Sequence, residues 1–214
     1  MKKVLSILAV AIIMFSASKA SAQISVNAAY IYQSHTFNYG DKDAVNALKD
    51  TMNLNGAMVG LTLNVPLIGS VGIAPGAYLT YAQAKKAVKE NNSNYTTSNI
   101  NLKMPFYLNF KIALGVNSDI IIFGGPVFNV GLSTLANYVN PDSGNEVAAQ
   151  RDLHFDMGGT VGAGIQFYRF RIYAGYNAAL IDYEGFKADK ESMKKAWEGS
   201  TLFAGIGISL GNPD

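Results

Sequence analysis

The chain has 214 residues, no cysteine, 15% charged side chains, 21 glycines, 12 tyrosines and 11 phenylalanines. That length suits one domain, and the missing cysteines exclude a disulfide-stapled miniprotein and a thiolate metal centre. Setting the first 22 residues aside turns the formal charge of +2 into −1, with 14 basic against 15 acidic side chains, so nucleic acid is not an implied partner.

The first element in chain order is an export signal. Lys2 and Lys3 form a positive start, Val4 to Ala17 is apolar, and Ala20-Ser21-Ala22 offers small residues to a signal peptidase. Cleavage is expected before Gln23, giving a signal over 1–22 and a single domain over 23–214. No later segment approaches the roughly 20 unbroken apolar residues of a transmembrane helix, so a membrane-spanning form must be a closed β-barrel.

From Gln23 onward, strand-like runs are joined by connections that alternate in length. Long, charged segments fall near 38–54, 85–98, 133–154 and 184–198, and short ones near 66–70, 114–119 and 168–170. Seven connections join eight strands. Alternating long and short links is the pattern of an up-and-down barrel in an outer membrane, with four long outer loops and three short periplasmic turns.

Within the strands the period is two. Ile100, Leu102, Met104, Phe106, Leu108, Phe110 and Ile112 alternate with Asn101, Lys103, Pro105, Tyr107, Asn109 and Lys111. Phe155 to Phe167 sets Phe155, Met157, Val161, Ala163, Ile165 and Phe167 against Asp156, Thr160, Gln166 and three glycines. The last strand sets Leu202, Ala204, Ile206, Ile208 and Leu210 against Thr201, Phe203, Gly205, Gly207 and Ser209.

A soluble, lipocalin-like barrel would turn its apolar face inward and cover the outside with charge. Here 21 of the 29 charges after residue 22 fall in the four long segments, and the non-apolar face is Gly, Ser, Thr, Asn and Tyr. That face fits a crowded bore, and the apolar face then meets lipid. Inward glycines leave room for Tyr78, Tyr107 and Tyr173. Pro75, Pro105 and Pro126 each remove a ladder donor, and bulges are expected to accommodate them. Tyr32, Phe37, Tyr81, Phe167, Tyr168, Phe170, Tyr183 and Phe186 lie near strand ends, where girdles form at headgroup depth.

The stretch Leu102-Lys103-Met104-Pro105-Phe106-Tyr107-Leu108 resembles strand 4 of the porin-like outer-membrane β-barrel family of Bacteroidetes. Gly162 to Phe167 with Arg169-Phe170-Arg171 is similar to that family's strand 6, tight turn and strand 7. The architecture also resembles OmpA/OmpX-type barrels. The resemblance implies an eight-stranded monomer without cofactor, in contact with outer-membrane lipid and lipopolysaccharide and inserted by the barrel-assembly machinery. Such barrels commonly end in an aromatic residue. This chain ends Ser209-Leu210-Gly211-Asn212-Pro213-Asp214, with Leu210 or Phe203 as the stand-in.

Catalytic and metal chemistry find little support. Some eight-stranded barrels modify lipid A with a Ser, a His and a carboxylate, which would recruit Ser34, His35 and Asp156. Consecutive Ser and His on a strand point to opposite faces and cannot form a nucleophile–base pair. His154 supplies no motif, and Asp41, Asp43 and Asp50 lack EF-hand spacing.

The expected interior charges are Lys103 and Asp156 toward the outer mouth and Lys111 and Arg171 toward the periplasmic one. They form either a polar plug or a narrow wet path favouring anions. In the fourth long segment, Phe186, Met193 and Trp197 are candidate anchors for an extracellular ligand, or else simply order the loop.

Overall fold

Period-two alternation puts every second side chain on one face of a strand, and the two faces here differ so sharply that one must be enclosed. In the computed structural model the described residues are 22–35, 52–88, 93–139, 146–182 and 200–210. They form β1 (Gln23–His35), β2 (Met52–Ile68), β3 (Val71–Val88), β4 (Ser93–Gly115), β5 (Ser118–Val139), β6 (Glu146–Phe167), β7 (Phe170–Asp182) and β8 (Thr201–Leu210). Each strand pairs antiparallel with the next, and β8 pairs back with β1, so the wall is a closed barrel.

The wall is staggered. Facing residues on successive strands, followed from Arg171, run through Gly207, Asn27, Gly60, Tyr78, Lys103, Asn129 and Asp156 to Asp182. That path returns to β7 eleven residues further along. Such a stagger is the geometric consequence of closing tilted strands.

All three short connections are two-residue turns. Gly69 opens the first with φ +56°, and Tyr168 opens the third with φ 53°, the sense that matches strand twist in tight hairpins. Tyr168 is the sole non-glycine with positive φ among the described residues. Its amide donates to the Asn117 carbonyl of the neighbouring turn at 2.9 Å, and the Arg169 carbonyl accepts from Ser209 at 2.8 Å. The Lys111 amide likewise donates to Ser70 at 2.8 Å. The turn end is therefore laced together by backbone bonds.

The other end differs from the sequence expectation. Two of the four segments read as long loops, 85–98 and 133–154, are largely strand: β3 runs to Val88, β4 starts at Ser93, β5 runs to Val139 and β6 starts at Glu146. Lys85, Lys86, Glu146, Arg151 and Asp152 thus sit on strands. Backbone pairing continues through polar sequence because each ladder bond needs only the neighbouring backbone, not an apolar side chain.

Bulges also fall elsewhere than expected. Register shifts occur at Pro66/Ile68, Ile100/Asn101, Ala113/Gly115 and Met157/Gly158. At Pro75, Pro105 and Pro126 the ladder skips pairs and resumes in the same register. Flanking pairs hold each strand in place, so a lost N–H donor interrupts the ladder without inserting a residue.

The apolar face points outward. Val161 (60%), Ile172 (64%), Ile206 (61%) and Leu202 (54%) are exposed, as are Leu79, Leu108, Ile122 and Ile165. A water-soluble barrel would bury this set, so the lipocalin-like arrangement is excluded by the direction of its side chains. Of the expected girdle, Tyr32, Tyr81, Phe167, Tyr168 and Phe170 are exposed on the outer face or turns. Phe37, Tyr183 and Phe186 lie outside the described residues, as do residues 1–21, over which the sequence expects an export signal.

Candidate functional site in the barrel lumen

Enclosure gives the lumen its chemistry. Across its middle lies a layer of large side chains: Met58 from β2, Tyr78 from β3, Tyr107 from β4, Phe123 from β5, Tyr173 from β7 and Phe203 from β8. Ring centroids are 5.1 Å apart for Tyr107–Phe123, 6.3 Å for Phe123–Phe203 and 6.2 Å for Tyr173–Phe203. Tilted and edge-on contacts at such distances are favourable beyond the area they bury.

Glycines make the layer fit. A Cβ on Gly162 would meet the Phe123 ring, one on Gly175 the Phe203 ring, and one on Gly164 would come within 2.9 Å of Tyr173 Cβ. Each ring occupies the volume its facing glycine leaves open.

Toward the loop end the lumen is polar on one side. Lys103 is 6% exposed, with Nζ 3.4 Å from Thr201 Oγ1, and the Asp156 carboxylate is the charge that faces it. Asn129 Nδ2 donates to Asp156 Oδ2 at 3.1 Å, and Asn99 Nδ2 donates to Gln33 Oε1 at 3.2 Å. Ile31, Leu54 and Ala82 fill the facing side.

Toward the turn end a second network forms around Asn27. Its amide donates to Thr62 Oγ1 at 3.1 Å and to the Ser25 carbonyl at 3.2 Å, while its Oδ1 accepts from Arg171 Nη2 at 3.0 Å. Asn64 Nδ2 donates to Ser25 Oγ at 2.8 Å, and Ser25 Oγ lies 2.9 Å from Ser209 Oγ. The Arg171 guanidinium also lies 5.5 Å from the centroid of the Tyr173 ring.

The four interior charges read from the sequence therefore occupy three settings. Lys103 and Asp156 share the loop-end network, Arg171 is partly buried in the turn-end network, and Lys111 is exposed although its strand position faces inward. Phe186, Met193, Trp197, Asp41, Asp43 and Asp50 lie outside the described residues. His35 ends β1 next to Ser34, and His154 lies on β6 opposite Gly131. Among the described residues no cluster of three His, Cys, Asp or Glu side chains offers a metal site.

The sequence reading missed the central role of Phe123 and Phe203. Phe203 was visible as the one large residue on its strand's small face. Phe123 was hidden in the run Ile120-Ile121-Ile122-Phe123, where both faces are apolar and period two carries no signal.

No model of a known protein family matches the chain. No curated protein matches it in sequence. Among solved structures, it is similar to Ail, the attachment invasion locus protein of Yersinia pestis, in complex with the heparin analogue sucrose octasulfate. Identity is 12%, coverage 89% of this chain and 100% of Ail, and the TM-score 0.45. It is also similar to Neisserial surface protein A, at 12% identity, 89% and 98% coverage and a TM-score of 0.41. The barrel topology rests on the strand pairing of this chain, independently of either likeness.

Proposed function

We propose that the chain is an integral outer-membrane barrel, monomeric and closed to solutes, that serves the envelope structurally and displays its loop end at the cell surface. The observation that carries this reading is the combination of an apolar outer face with a bore filled by the Tyr107–Phe123–Tyr173–Phe203 layer. The outer face demands lipid, and only a closed barrel satisfies strand backbones there. The packed rings, in this reading, leave no continuous water path through the bore. In this reading the tight turns face the periplasm and the loop end faces outward, in contact with lipopolysaccharide, after insertion by the barrel-assembly machinery.

The role is non-enzymatic. Ser34 and His35, the pair a lipid A-modifying site would recruit, are consecutive positions at the end of β1, and neighbouring positions on a strand do not share a face. An altered lipid A mass spectrum on deletion of the chain would count against this part of the proposal.

Single-channel recording in a planar bilayer tests the whole, on protein first shown to be folded by heat-modifiable migration. Silence is the expected result. The rival reading is a narrow pore biased by Arg171 and the exposed Lys111 at the turn end. Reproducible conductance steps whose anion preference disappears in Lys111→Met with Arg171→Met would establish it instead.

A further inference from the structure

The turn end is more apolar than a water-facing rim should be. Each of its three turns carries large apolar side chains at or beside the tip: Ile68 is 84% exposed in the first and Val116 98% in the second, while Tyr168 and Phe170 stand out from the third. Exposed apolar surface on this scale marks a contact. The turns join β2 to β3, β4 to β5 and β6 to β7, so the contact is a rim running round the barrel rather than a patch on one side. A rim of that shape fits a fluid, planar phase better than one folded partner.

Length points the same way. Toward the loop end, the hydroxyls of the exposed Tyr30 and Tyr81 donate to Asn55 and Gln83, as amphipathic rings do at headgroup depth. Tyr81 faces Ile100 on β4. At about 3.3 Å per residue and a tilt of about 40°, an apolar band about 25 Å tall that starts at Ile100 ends about ten residues later. That places the far boundary near Phe110, yet exposed apolar side chains continue through Ile112 and Leu114 to Val116. Charge completes the pattern. Among the described residues of this end, the exposed Lys111 and Arg169 and the partly buried Arg171 outnumber one carboxylate, Asp119. Basic side chains beside apolar tips suit the phosphates of a phospholipid surface.

We propose that the turn rim is a phospholipid-docking surface, with its apolar tips seated in the headgroup layer of the periplasmic leaflet and Lys111 and Arg169 on lipid phosphates. The proposal rests on the outer-membrane reading above. Such seating fixes the depth of the barrel in the bilayer.

The chain has no cysteine, so Ile68→Cys, Val116→Cys, Phe170→Cys and Val161→Cys each give one site for a bimane label. In nanodiscs, bimane at the three turn positions should be quenched most by a nitroxide on the lipid headgroup. It should also be severalfold less sensitive to aqueous acrylamide than in the same variants unfolded in urea. Bimane at Val161 should be quenched most by a nitroxide at mid-chain. Turn labels that acrylamide reaches freely and the headgroup nitroxide does not, with Val161 still quenched from mid-chain, would overturn the proposal and leave the rim to a protein partner. Loss of mid-chain quenching at Val161 would instead overturn the membrane reading beneath it. Adding phosphatidylglycerol to phosphatidylcholine discs should strengthen headgroup quenching at the turns, and Lys111→Gln with Arg169→Gln should erase that gain without changing Val161. A gain that survives the double variant would overturn the phosphate contacts.

Discussion

Gly162 and Phe123 are one packing unit split between adjacent strands. A Cβ on Gly162 would strike the Phe123 ring and lie 2.6 Å from the Ala174 carbonyl oxygen, which belongs to the wall and cannot swing aside. Gly162→Ala should therefore cost about 1–3 kcal/mol, the usual range for overpacking, read as a lower urea midpoint in lipid vesicles. Lys103 makes the opposite kind of demand. Lys103→Met removes a buried donor to Thr201 and the positive charge facing the half-buried Asp156, so it should cost about 1–3 kcal/mol. Adding Asp156→Asn should recover most of that loss, and a double-mutant cycle measures the coupling; purely additive losses would mean the two groups do not act together. Lys111→Met, on the same strand but exposed, should stay within about 0.5 kcal/mol of the parent. The sequence placed Lys103 and Lys111 at opposite mouths but both in the interior, because parity was all it offered on facing. Exposure separates them, and exposure depends on how far the strand extends past its neighbours.

At the scale of elements, the three prolines form a diagonal seam. Pro75 pairs with Phe106 beside Pro105, and Pro105 pairs with Val127 beside Pro126, so the ladder gaps run across β3, β4 and β5 in succession. Fewer ladder bonds there should let the amides of Ala77, Phe106 and Tyr107 exchange faster than those of Val161 to Ile165, where β5–β6 pairing is unbroken. Hydrogen exchange read by mass spectrometry in nanodiscs checks this, and uniform protection would show that the skipped pairs are still bonded. The seam was half legible: the prolines were plain, but their alignment depends on register, which no single strand encodes. Strand ends were misread for a related reason. Residues 93–98 and 133–139 look like loop because they are polar, yet a paired neighbour keeps them extended.

For the whole molecule, the deciding contrast is between its outside and its bore. Val161→Arg places a charge on the apolar outer face and should cost about 2–4 kcal/mol in a bilayer, while Leu210→Arg at the strand end should cost about 0–1 kcal/mol. Equal costs at both positions would argue that no lipid midplane lies at Val161. The bore makes the complementary prediction. Phe123→Ala with Phe203→Ala removes two of the rings in the central layer, and conductance steps absent from the parent should appear in planar bilayers. Silence in a folded double variant would place the seal in other side chains.

Strand number, alternation and the outward direction of the apolar face were determined by sequence alone, because a bilayer tolerates only closed strands with apolar exteriors and that constraint is written residue by residue at period two. The central layer was decided by tertiary structure. Met58, Tyr78, Tyr107, Phe123, Tyr173 and Phe203 come from six strands, and what brings them to one level is the stagger that carries Arg171 round the wall to Asp182. Stagger is a property of the closed sheet, set by all eight registers at once, so no local pattern could announce which rings would meet.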